Sequence, residues 1–272
     1  MNTEITFMKY KCLIHLFGVL LITSSCTSSD NVSYSEEGCE EIVIDPTERQ
    51  MINRSELFSL ERVIKLKNSS GTLIGEIENI LAHEDFLVIN SNDISLYDYE
   101  GNFLKKIGRS GRGPGEYLSK FIAYNKKNLF IMDRTQQKII KYRLSDGSYV
   151  SDDYVKIWGQ AIINWKEMNL VYAGNELTPY NEKLFIFDKN NNLLTSHFDI
   201  KEHEKYYMHF YEKTNFYNYK DSIRFLYAFN NGIYSIGIKG KDTFITKRYC
   251  VDFGSYSIPE EFFQQPFRNV RD

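Results

Sequence analysis

The chain has 272 residues, with 33 lysines and arginines against 36 aspartates and glutamates and a formal net charge of −3 at pH 7. Its basic residues are dispersed along a nearly neutral sequence, which argues against a nucleic-acid-binding surface. Tyrosine and phenylalanine are abundant, with 20 and 19 residues, and these residue types favour β-strands.

Residues 1–25 are predicted to be a lipoprotein signal peptide. We expect translation to start at Met8, because Lys9 and Lys11 then form a short basic segment before an apolar run from Leu13 to Ile22. That run is too short to span a bilayer and is typical of a signal-peptide core.

A cysteine follows this core. The sequence Leu21-Ile22-Thr23-Ser24-Ser25-Cys26 resembles a bacterial lipobox, in which small residues directly precede a cysteine. The resemblance implies cleavage before Cys26 and attachment of lipid to it, so that an outer-membrane lipid is an expected partner. An ordinary signal peptide with an incidental cysteine is the alternative.

Residues 26–41 are predicted to comprise the lipidated cysteine and a flexible acidic tether, because this segment is polar and short of large apolar residues. Its acidic residues fit either a surface-export signal or a solvated linker, so a periplasmic and a surface-facing orientation both stay open. Cys39 lies in this tether, far along the chain from Cys250. An oxidising compartment permits a disulfide between them, but with one partner in the tether we expect two free thiols.

Four aromatic residues recur at near-constant spacing. Tyr97, Tyr142, Phe187 and Tyr234, called the marker residues below, follow one another at intervals of 45, 45 and 47 residues. A period in the forties built from short strands is typical of a β-propeller, in which four-stranded sheets, the blades, surround a central channel. The fold class is therefore predicted to be all-β, with blades of antiparallel strands.

Each unit contains the same succession of strand and turn patterns. An apolar run comes first, a strand ending in the marker residue follows, and a final strand closes the unit after a polar turn. The apolar runs are Phe86–Ile89, Leu129–Met132, Leu170–Tyr172 and Ile223–Leu226. The closing strands are Phe103–Ile107, Tyr149–Lys156, Leu193–Phe198 and Thr243–Tyr249. No stretch after the signal peptide sustains a helical apolar period, so helix-rich folds are disfavoured.

A glycine-rich motif separates the first two units. It reads Ile107-Gly108-Arg109-Ser110-Gly111-Arg112-Gly113-Pro114-Gly115-Glu116-Tyr117. This run resembles the hallmark of the six-bladed β-propeller lipoproteins of Bacteroides-type bacteria, which are relatives of the NHL-repeat propellers. The resemblance covers about Ile42 to Phe263 and implies the fold. It implies little about chemistry, because the ligands of that family are mostly uncharacterised.

The chain holds fewer units than this resemblance implies. Four units occupy about residues 77–250, whereas six blades at this period need about two more. Residues 42–272 are therefore expected to form an incomplete propeller in a C-terminally truncated family member; a smaller closed ring of four or five blades is the alternative. The segment Glu41–Asp45 resembles the N-terminal strand that completes the last blade of such propellers, and we expect it to have no partner here.

The glycine-rich motif is predicted to be a turn between blades. A phosphate cradle is disfavoured, because no Gly-Lys-Ser/Thr follows and a strand rather than a helix comes next. The glycines permit positive φ, and Pro114 stiffens the path. Arg109, Arg112 and Glu116 are expected either to pair across this junction or to line one mouth of the channel, where they are candidates for ligand binding.

The densest aromatic stretch lies in a long insertion between the third and fourth units. Tyr206, Tyr207 and Tyr211 are candidates for stacking on a sugar ring or a hydrophobic ligand. Packing between blades is the favoured alternative, because strand propensity alone predicts many tyrosines and phenylalanines.

Neither a metal nor another cofactor is predicted. The sequence has no His-Glu-x-x-His or Cys-x-x-Cys spacing and no Gly-x-Ser-x-Gly motif. Asp98, Asp133 and Asp188 are expected to sit in strand-end turns rather than to act in catalysis. No catalytic residue is therefore predicted, although metal ligands contributed by separate blades would leave no local motif.

These features together predict a lipid-anchored propeller of the outer membrane, acting as a binding or scaffolding module for a glycan or a peptide. Two alternatives stay open. One is a metal-dependent hydrolase or lyase with its site in the central channel, and the other is a structural partner in an envelope complex.

Overall fold

The computed structural model describes residues 33–35, 38–48, 51–67, 74–175, 179–201, 215–239, 242–259 and 261. Within these ranges the chain forms twenty β-strands, a one-turn helix α1 (Arg54–Leu57) and a 3-10 turn (Gly254–Tyr256). Neither helical segment of this described part is long and apolar enough to cross a bilayer.

Four sheets of consecutive antiparallel strands make up most of the structure. The first sheet contains β3 (Asn79–Ala82), β4 (Leu87–Asn90), β5 (Ile94–Tyr97) and β6 (Phe103–Ile107). The second contains β9 (Phe121–Tyr124), β10 (Asn128–Asp133), β11 (Lys138–Arg143) and β12 (Tyr149–Tyr154). The third contains β13 (Ala161–Trp165), β14 (Met168–Tyr172), β15 (Glu182–Phe187) and β16 (Leu193–Asp199). The fourth contains β17 (Phe216–Tyr219), β18 (Ser222–Phe225), β19 (Gly232–Lys239) and β20 (Asp242–Asp252).

The predicted all-β architecture with four-stranded antiparallel sheets is confirmed. Between the first and second sheets, β7 (Arg109–Ser110) and β8 (Glu116–Tyr117) form a short parallel pair. These two strands lie at the two ends of the glycine-rich motif.

The marker residues occupy the same structural position in the first three sheets, where each pairs with the first residue of the fourth strand. Tyr234 lies nearer the other end of its strand and pairs with Lys247. All four marker residues are buried in the third strand, and each directly follows a shift of register against the fourth strand. The shifts fall at Leu96/Tyr97, Lys141/Tyr142, Ile186/Phe187 and Ile233/Tyr234. A β-bulge bends a strand and increases its twist, so the sequence repeat records a bend that recurs in every sheet.

Each sheet packs against the next through its own apolar cluster. Leu96 and Leu129 belong to the cluster between the first and second sheets, and Ile139 and Phe185 to the cluster between the second and third. Ile186 packs with the fourth sheet. The sheets therefore stack side by side, as blades do, because a single sheet cannot bury both of its faces alone.

Two N-terminal strands extend the fourth sheet. β1 (Ser33–Ser35) and β2 (Glu40–Val43) both pair with β20, and both run parallel to it. The expectation that the Glu41–Asp45 segment would have no partner was therefore wrong, because the outer edge of the fourth sheet accepts it. The pairing continues past β2, where the Ile44 amide donates to the Asp252 carbonyl at 2.8 Å.

The same pairing corrects two further expectations. Residues 33–35 and 40–41, assigned to a flexible tether, form strands, because main-chain hydrogen bonding to β20 outweighs their polar composition. Cys39 then lies beside Cys250, with their Cα atoms 5.8 Å apart, and the two form a disulfide rather than free thiols. The pairing of β2 with β20 brings Cys39, the residue directly before β2, close to Cys250.

Candidate functional site

The first strands of the four sheets surround a cavity of about 500 Å³. Side chains from β3, β9, β13 and β17 line it, together with residues that directly precede these strands. In a propeller the first strand of each blade is the innermost, so this cavity corresponds to the predicted central channel.

An ion pair forms one part of the cavity wall. Lys120 Nζ lies 3.1 Å from Glu78 Oε1 and also donates to the Ser91 carbonyl. The Lys120 side chain is largely buried, whereas that of Glu78 is about half exposed. Each charge has its counter-ion within the wall, so this region adds little net charge to the cavity.

Asn90 lies beside that ion pair, at the end of β4. Its Nδ2 donates to Glu78 Oε2 at 3.3 Å and to the Lys120 carbonyl at 3.2 Å. Its Oδ1 is buried and has no hydrogen-bond partner among the described residues, although the residue as a whole is only 2% exposed. A buried carbonyl oxygen without a donor is costly, and this atom is enclosed by the protein rather than open to the cavity.

Gln160 places a second such oxygen in the wall, immediately before β13. Its Nε2 donates to the Ala173 carbonyl at 3.3 Å, and the residue is 2% exposed. Its Oε1 has no partner within the described part of the chain. Gly174, at φ +67°, makes room for this side chain, because a Cβ there would lie 2.8 Å from Gln160 Nε2.

A row of amides runs outward from the cavity through the third sheet. Asn164, which lines the cavity, accepts from Asn125 at 2.9 Å and donates to Asn169 at 2.8 Å. Asn169 donates to Asn191 at 2.7 Å, and Asn191 donates to Asp153 at 2.8 Å. Each amide in the row fixes the orientation of the next, which holds Asn164 in one position.

Aromatic and aliphatic side chains complete the lining. Phe121, Tyr124, Ile162 and Phe216 border the cavity. The Tyr124 hydroxyl donates to the Ala82 carbonyl at 2.5 Å, which ties β9 to β3 across the gap between two sheets. The cavity therefore combines polar amides with apolar surface, as ligand sites commonly do.

The arginines and the glutamate of the glycine-rich motif lie elsewhere. Arg109 Nε lies 2.6 Å from Glu116 Oε1, and the Gly113 amide donates to Glu116 Oε2 at 2.7 Å. These hydrogen bonds, first that from Gly113 and then that from Arg109, lower the pKa of the Glu116 carboxyl. None of these residues, Arg109, Arg112 and Glu116, lines the cavity. Arg109 and Glu116 pair with each other across the junction.

Asp133 holds that junction in place. Its buried carboxylate accepts from the Leu118 amide at 2.8 Å and from Gln136 Nε2 at 2.6 Å. Gln136 Nε2 also donates to the carbonyls of Gly111 and Glu116, each at 3.1 Å. The motif is therefore a braced turn between sheets, as predicted, and Asp133 has a structural role.

The turns at Asp98 and Asp188 are also as predicted. The Asp98 carboxylate accepts from the Asn102 amide at 2.7 Å, and Asp188 accepts from the Asn192 amide at 2.8 Å in the equivalent turn of the third sheet. Tyr206, Tyr207, Tyr211 and Cys26 lie outside the described residues. Among the residues that are described, no three His, Cys, Asp or Glu side chains gather as metal ligands would.

Sequence reasoning missed the residues that line the cavity. It located three strands in each unit but not the innermost strand, and therefore neither Asn90 nor Gln160 was a candidate. The number of strands could have located the innermost strand, because a four-stranded blade needs one more strand before each apolar run. Short segments such as Asn79–Ala82 and Phe121–Tyr124 occupy those places.

A known protein family matches most of this chain. Residues 41–270 match the family described as "Domain of unknown function (DUF4934)". The chain belongs to the DUF4934 family. No curated protein matches it.

Solved structures similar to this member of the DUF4934 family include a protein of Bacteroides fragilis NCTC 9343 that is described as exported. The two are 18% identical with a TM-score of 0.60, and the match covers 78% of this chain and 60% of the other. The Cps50 (Swd1) β-propeller domain of Myceliophteria thermophila is 12% identical, with a TM-score of 0.43 and coverage of 65% and 57%. The predicted β-propeller class is confirmed by the structure itself, in which four antiparallel four-stranded sheets surround a common cavity. This DUF4934 chain spans less than two thirds of the Bacteroides fragilis protein.

Proposed function

We propose that this protein is a lipid-anchored β-propeller of the bacterial outer membrane that binds a ligand in its central cavity. The observation that carries the proposal is the cavity itself, which four sheets line with both amide and aromatic side chains. A cavity of this size that combines apolar surface with a few polar groups is typical of small-molecule binding sites. No group of potential metal ligands among the described residues favours catalysis instead.

Three observations support a location in the cell envelope. The N-terminal sequence has the features of a signal peptide ending directly before Cys26. The Cys39–Cys250 disulfide suits an oxidising compartment, because cytoplasmic thiols are kept reduced. The similar Bacteroides fragilis protein is described as exported.

Lipid anchoring is tested by metabolic labelling with a palmitate analogue during expression of the full chain in a bacterium that processes lipoproteins. We expect label on the wild-type protein, recovery in the outer-membrane fraction, and loss of both in Cys26→Ala. Cys12→Ala is the matched control and should keep the label, because Cys12 lies within the predicted signal peptide. Label that persists in Cys26→Ala would refute the proposed anchor.

Ligand binding in the cavity is tested by blocking it. Asn79 lies on β3 and lines the cavity, so Asn79→Trp should fill part of its volume. Leu104→Trp, at an exposed position on the outer strand β6, is the matched control. Thermal-shift screens of the full chain against neutral oligosaccharides, short peptides and divalent cations should give a hit that is lost only in Asn79→Trp. Hits of equal size in all three proteins would place binding elsewhere.

A further inference from the structure

We propose that residues 262–272 dock on an exposed apolar segment of the same chain, which leads from β2 to the first sheet. The described residues of this segment are 43–48 and 51–63, and they are called the N-terminal connection below. The interaction is separate from the central cavity and needs no ligand there.

The N-terminal connection exposes a dense set of large apolar side chains. It holds eight of the 22 large apolar residues that are exposed in the described chain: Val43, Ile44, Met51, Ile52, Leu57, Phe58, Leu60 and Val63. Met51 is 97% exposed, Leu60 82% and Phe58 72%. Soluble proteins seldom leave apolar side chains so concentrated without a partner, so this segment marks an interaction surface.

Both ends of the connection are fixed on sheets. At its start, the Ile44 amide donates to the Asp252 carbonyl at 2.8 Å, at the end of β20. Directly after its far end, Ile64 and Leu66 pack on the first sheet. The exposed side chains lie between these two attachments, where no described sheet covers them.

The chain that follows β20 leaves from the same place. β20 ends at Asp252, which lies opposite Val43 in the pairing with β2. The large apolar side chains that come next are exposed as well: Phe253, Tyr256 and Ile258. Residues 262–272 therefore follow a short exposed stretch that begins beside the N-terminal connection.

The composition of residues 262–272 suits this surface. They include Phe262, Phe263 and Phe267, and a packed phenylalanine buries on the order of 150–250 Å². Fully extended, residues 262–267 span up to about 20 Å, so the three rings can contact separate points of the connection. Because they belong to the same molecule, their effective concentration at the connection is about millimolar, which favours them over a partner in solution.

Charge distinguishes this occupant from a second copy of the chain and from a lipid surface. Residues 43–63 and 252–261 contain seven acidic and three basic residues. Two copies of this surface would bring like charges together, and a bilayer that contains anionic lipids would repel it. Residues 262–272 carry Arg268 and Arg271 against the single acid Asp272, so their net charge is opposite to that of the surface.

The test is hydroxyl-radical footprinting of the full chain, read by mass spectrometry. Met51, Phe58 and Leu60 are the reporters, because all three are exposed in the described structure and their side chains react with the radical. These side chains should be protected in the wild type. They should react threefold or more faster in the triple variant that lacks the docking rings, Phe262→Ser/Phe263→Ser/Phe267→Ser.

Two further variants make the result specific. Arg268→Glu/Arg271→Glu should increase the same reaction rates by a smaller factor, because it reverses the complementary charge and keeps the rings. The matched control also removes three exposed apolar side chains, from the outer strands of the first three sheets, and should keep the wild-type rates: Leu104→Ser/Tyr154→Ser/Leu194→Ser. A thermal melt shows whether each variant is folded.

Light scattering at the footprinting concentration separates the possible occupants. Protection of a monomeric wild type that is lost in the phenylalanine variant supports the docking. Equal reaction rates in these two proteins would overturn it. Protection that appears only in a dimer would identify a second copy as the occupant, and protection that appears only with added phosphatidylglycerol vesicles would identify a bilayer; either result would overturn the proposal.

Discussion

Two of the marker residues, at equivalent positions in their sheets, differ in whether their hydroxyl group has a hydrogen-bond partner. Tyr97 and Tyr142 are both buried beside a β-bulge. The Tyr142 hydroxyl donates to the Gly115 carbonyl in the glycine-rich motif, whereas the Tyr97 hydroxyl has no partner among the described residues. Burial raises the pKa of both phenols, that of Tyr142 to about 12.

The same substitution should therefore have opposite effects at these two sites. Tyr142→Phe removes a buried hydrogen bond and should lower the free energy of unfolding by about 1 kcal/mol. Tyr97→Phe removes an unpaired buried hydroxyl and should leave that free energy unchanged or raise it by up to about 1 kcal/mol. Urea unfolding of both variants beside the wild type measures the difference. Equal losses at both positions would show that the Tyr97 hydroxyl is bonded in solution.

A partly buried histidine should make stability depend on pH. Burial lowers the pKa of the His197 imidazole to about 4, whereas an exposed histidine titrates near 6.5. Between these values the unfolded chain binds a proton that the folded chain does not. The stabilising contribution is therefore complete above pH 6.5 and is lost as the pH falls towards 4.

His197→Gln should reduce that dependence. We expect the urea midpoint of the wild type to fall between pH 7 and pH 4.5, and that of the variant to fall less, because glutamine binds no proton in this range. If the urea midpoints of His197→Gln and of the wild type fall by the same amount over this pH range, the imidazole is solvated in the folded protein.

At the scale of elements, the junction between the first two sheets depends on glycine. Gly108 adopts φ +61°, and a Cβ there would lie 2.6 Å from the Tyr142 hydroxyl and 2.9 Å from the Tyr117 ring. The positive φ is unfavourable for residues that have a side chain, and the two tyrosines leave no room for a Cβ atom, so only glycine fits at this position. The motif that identifies the family resemblance is therefore a consequence of close packing at this turn.

Gly108→Ala should lower the free energy of unfolding by roughly 1–3 kcal/mol, through backbone strain and displacement of the two tyrosines. Gly237→Ala on β19 is the control, because nothing lies within 4 Å of its added Cβ, and it should be neutral or slightly stabilising. Guanidinium unfolding of the two variants makes the comparison. A neutral Gly108→Ala would mean that the junction relaxes without cost.

Strands with continuous apolar runs could be predicted from the sequence, and the innermost strands could not. The second, third and fourth strands of each unit carry the apolar runs, the marker residues and the closing pattern. β3 and β17 are four residues long and partly exposed along their length, because one side borders the cavity. A short strand that lines a cavity has no strong period, so the site it forms was missed along with it.

At the scale of the whole molecule, the N-terminal strands join distant parts of the chain. The Cys39–Cys250 disulfide closes a loop with a sequence separation of 211 residues, and β2 pairs with β20 beside it. Both contacts were considered from the sequence, as a candidate N-terminal strand and a permitted disulfide, but neither was expected to form, because strand pairing across such a separation leaves no local trace in a polar segment. Composition alone therefore indicated a linker where the structure has an edge strand.

Breaking this link should destabilise the protein as a whole. Cys250→Ser should lower the free energy of unfolding by about 2–5 kcal/mol, because the unfolded chain gains the freedom that the cross-link removes. Wild-type protein in reductant should unfold at the same urea concentration as the variant in either condition. Free thiols at Cys39 and Cys250 in the oxidised protein, detected by alkylation and mass spectrometry, would contradict the pairing.

If Cys26 carries the proposed lipid, the early start of β1 also limits how far the propeller can stand from a bilayer. Ser33, the first residue of β1, follows Cys26 by only seven residues. Fully extended, that length of chain spans at most about 25 Å. With lipid on Cys26, the outer edge of the fourth sheet is held within this distance of the headgroups. The ligand would then be captured close to the membrane surface.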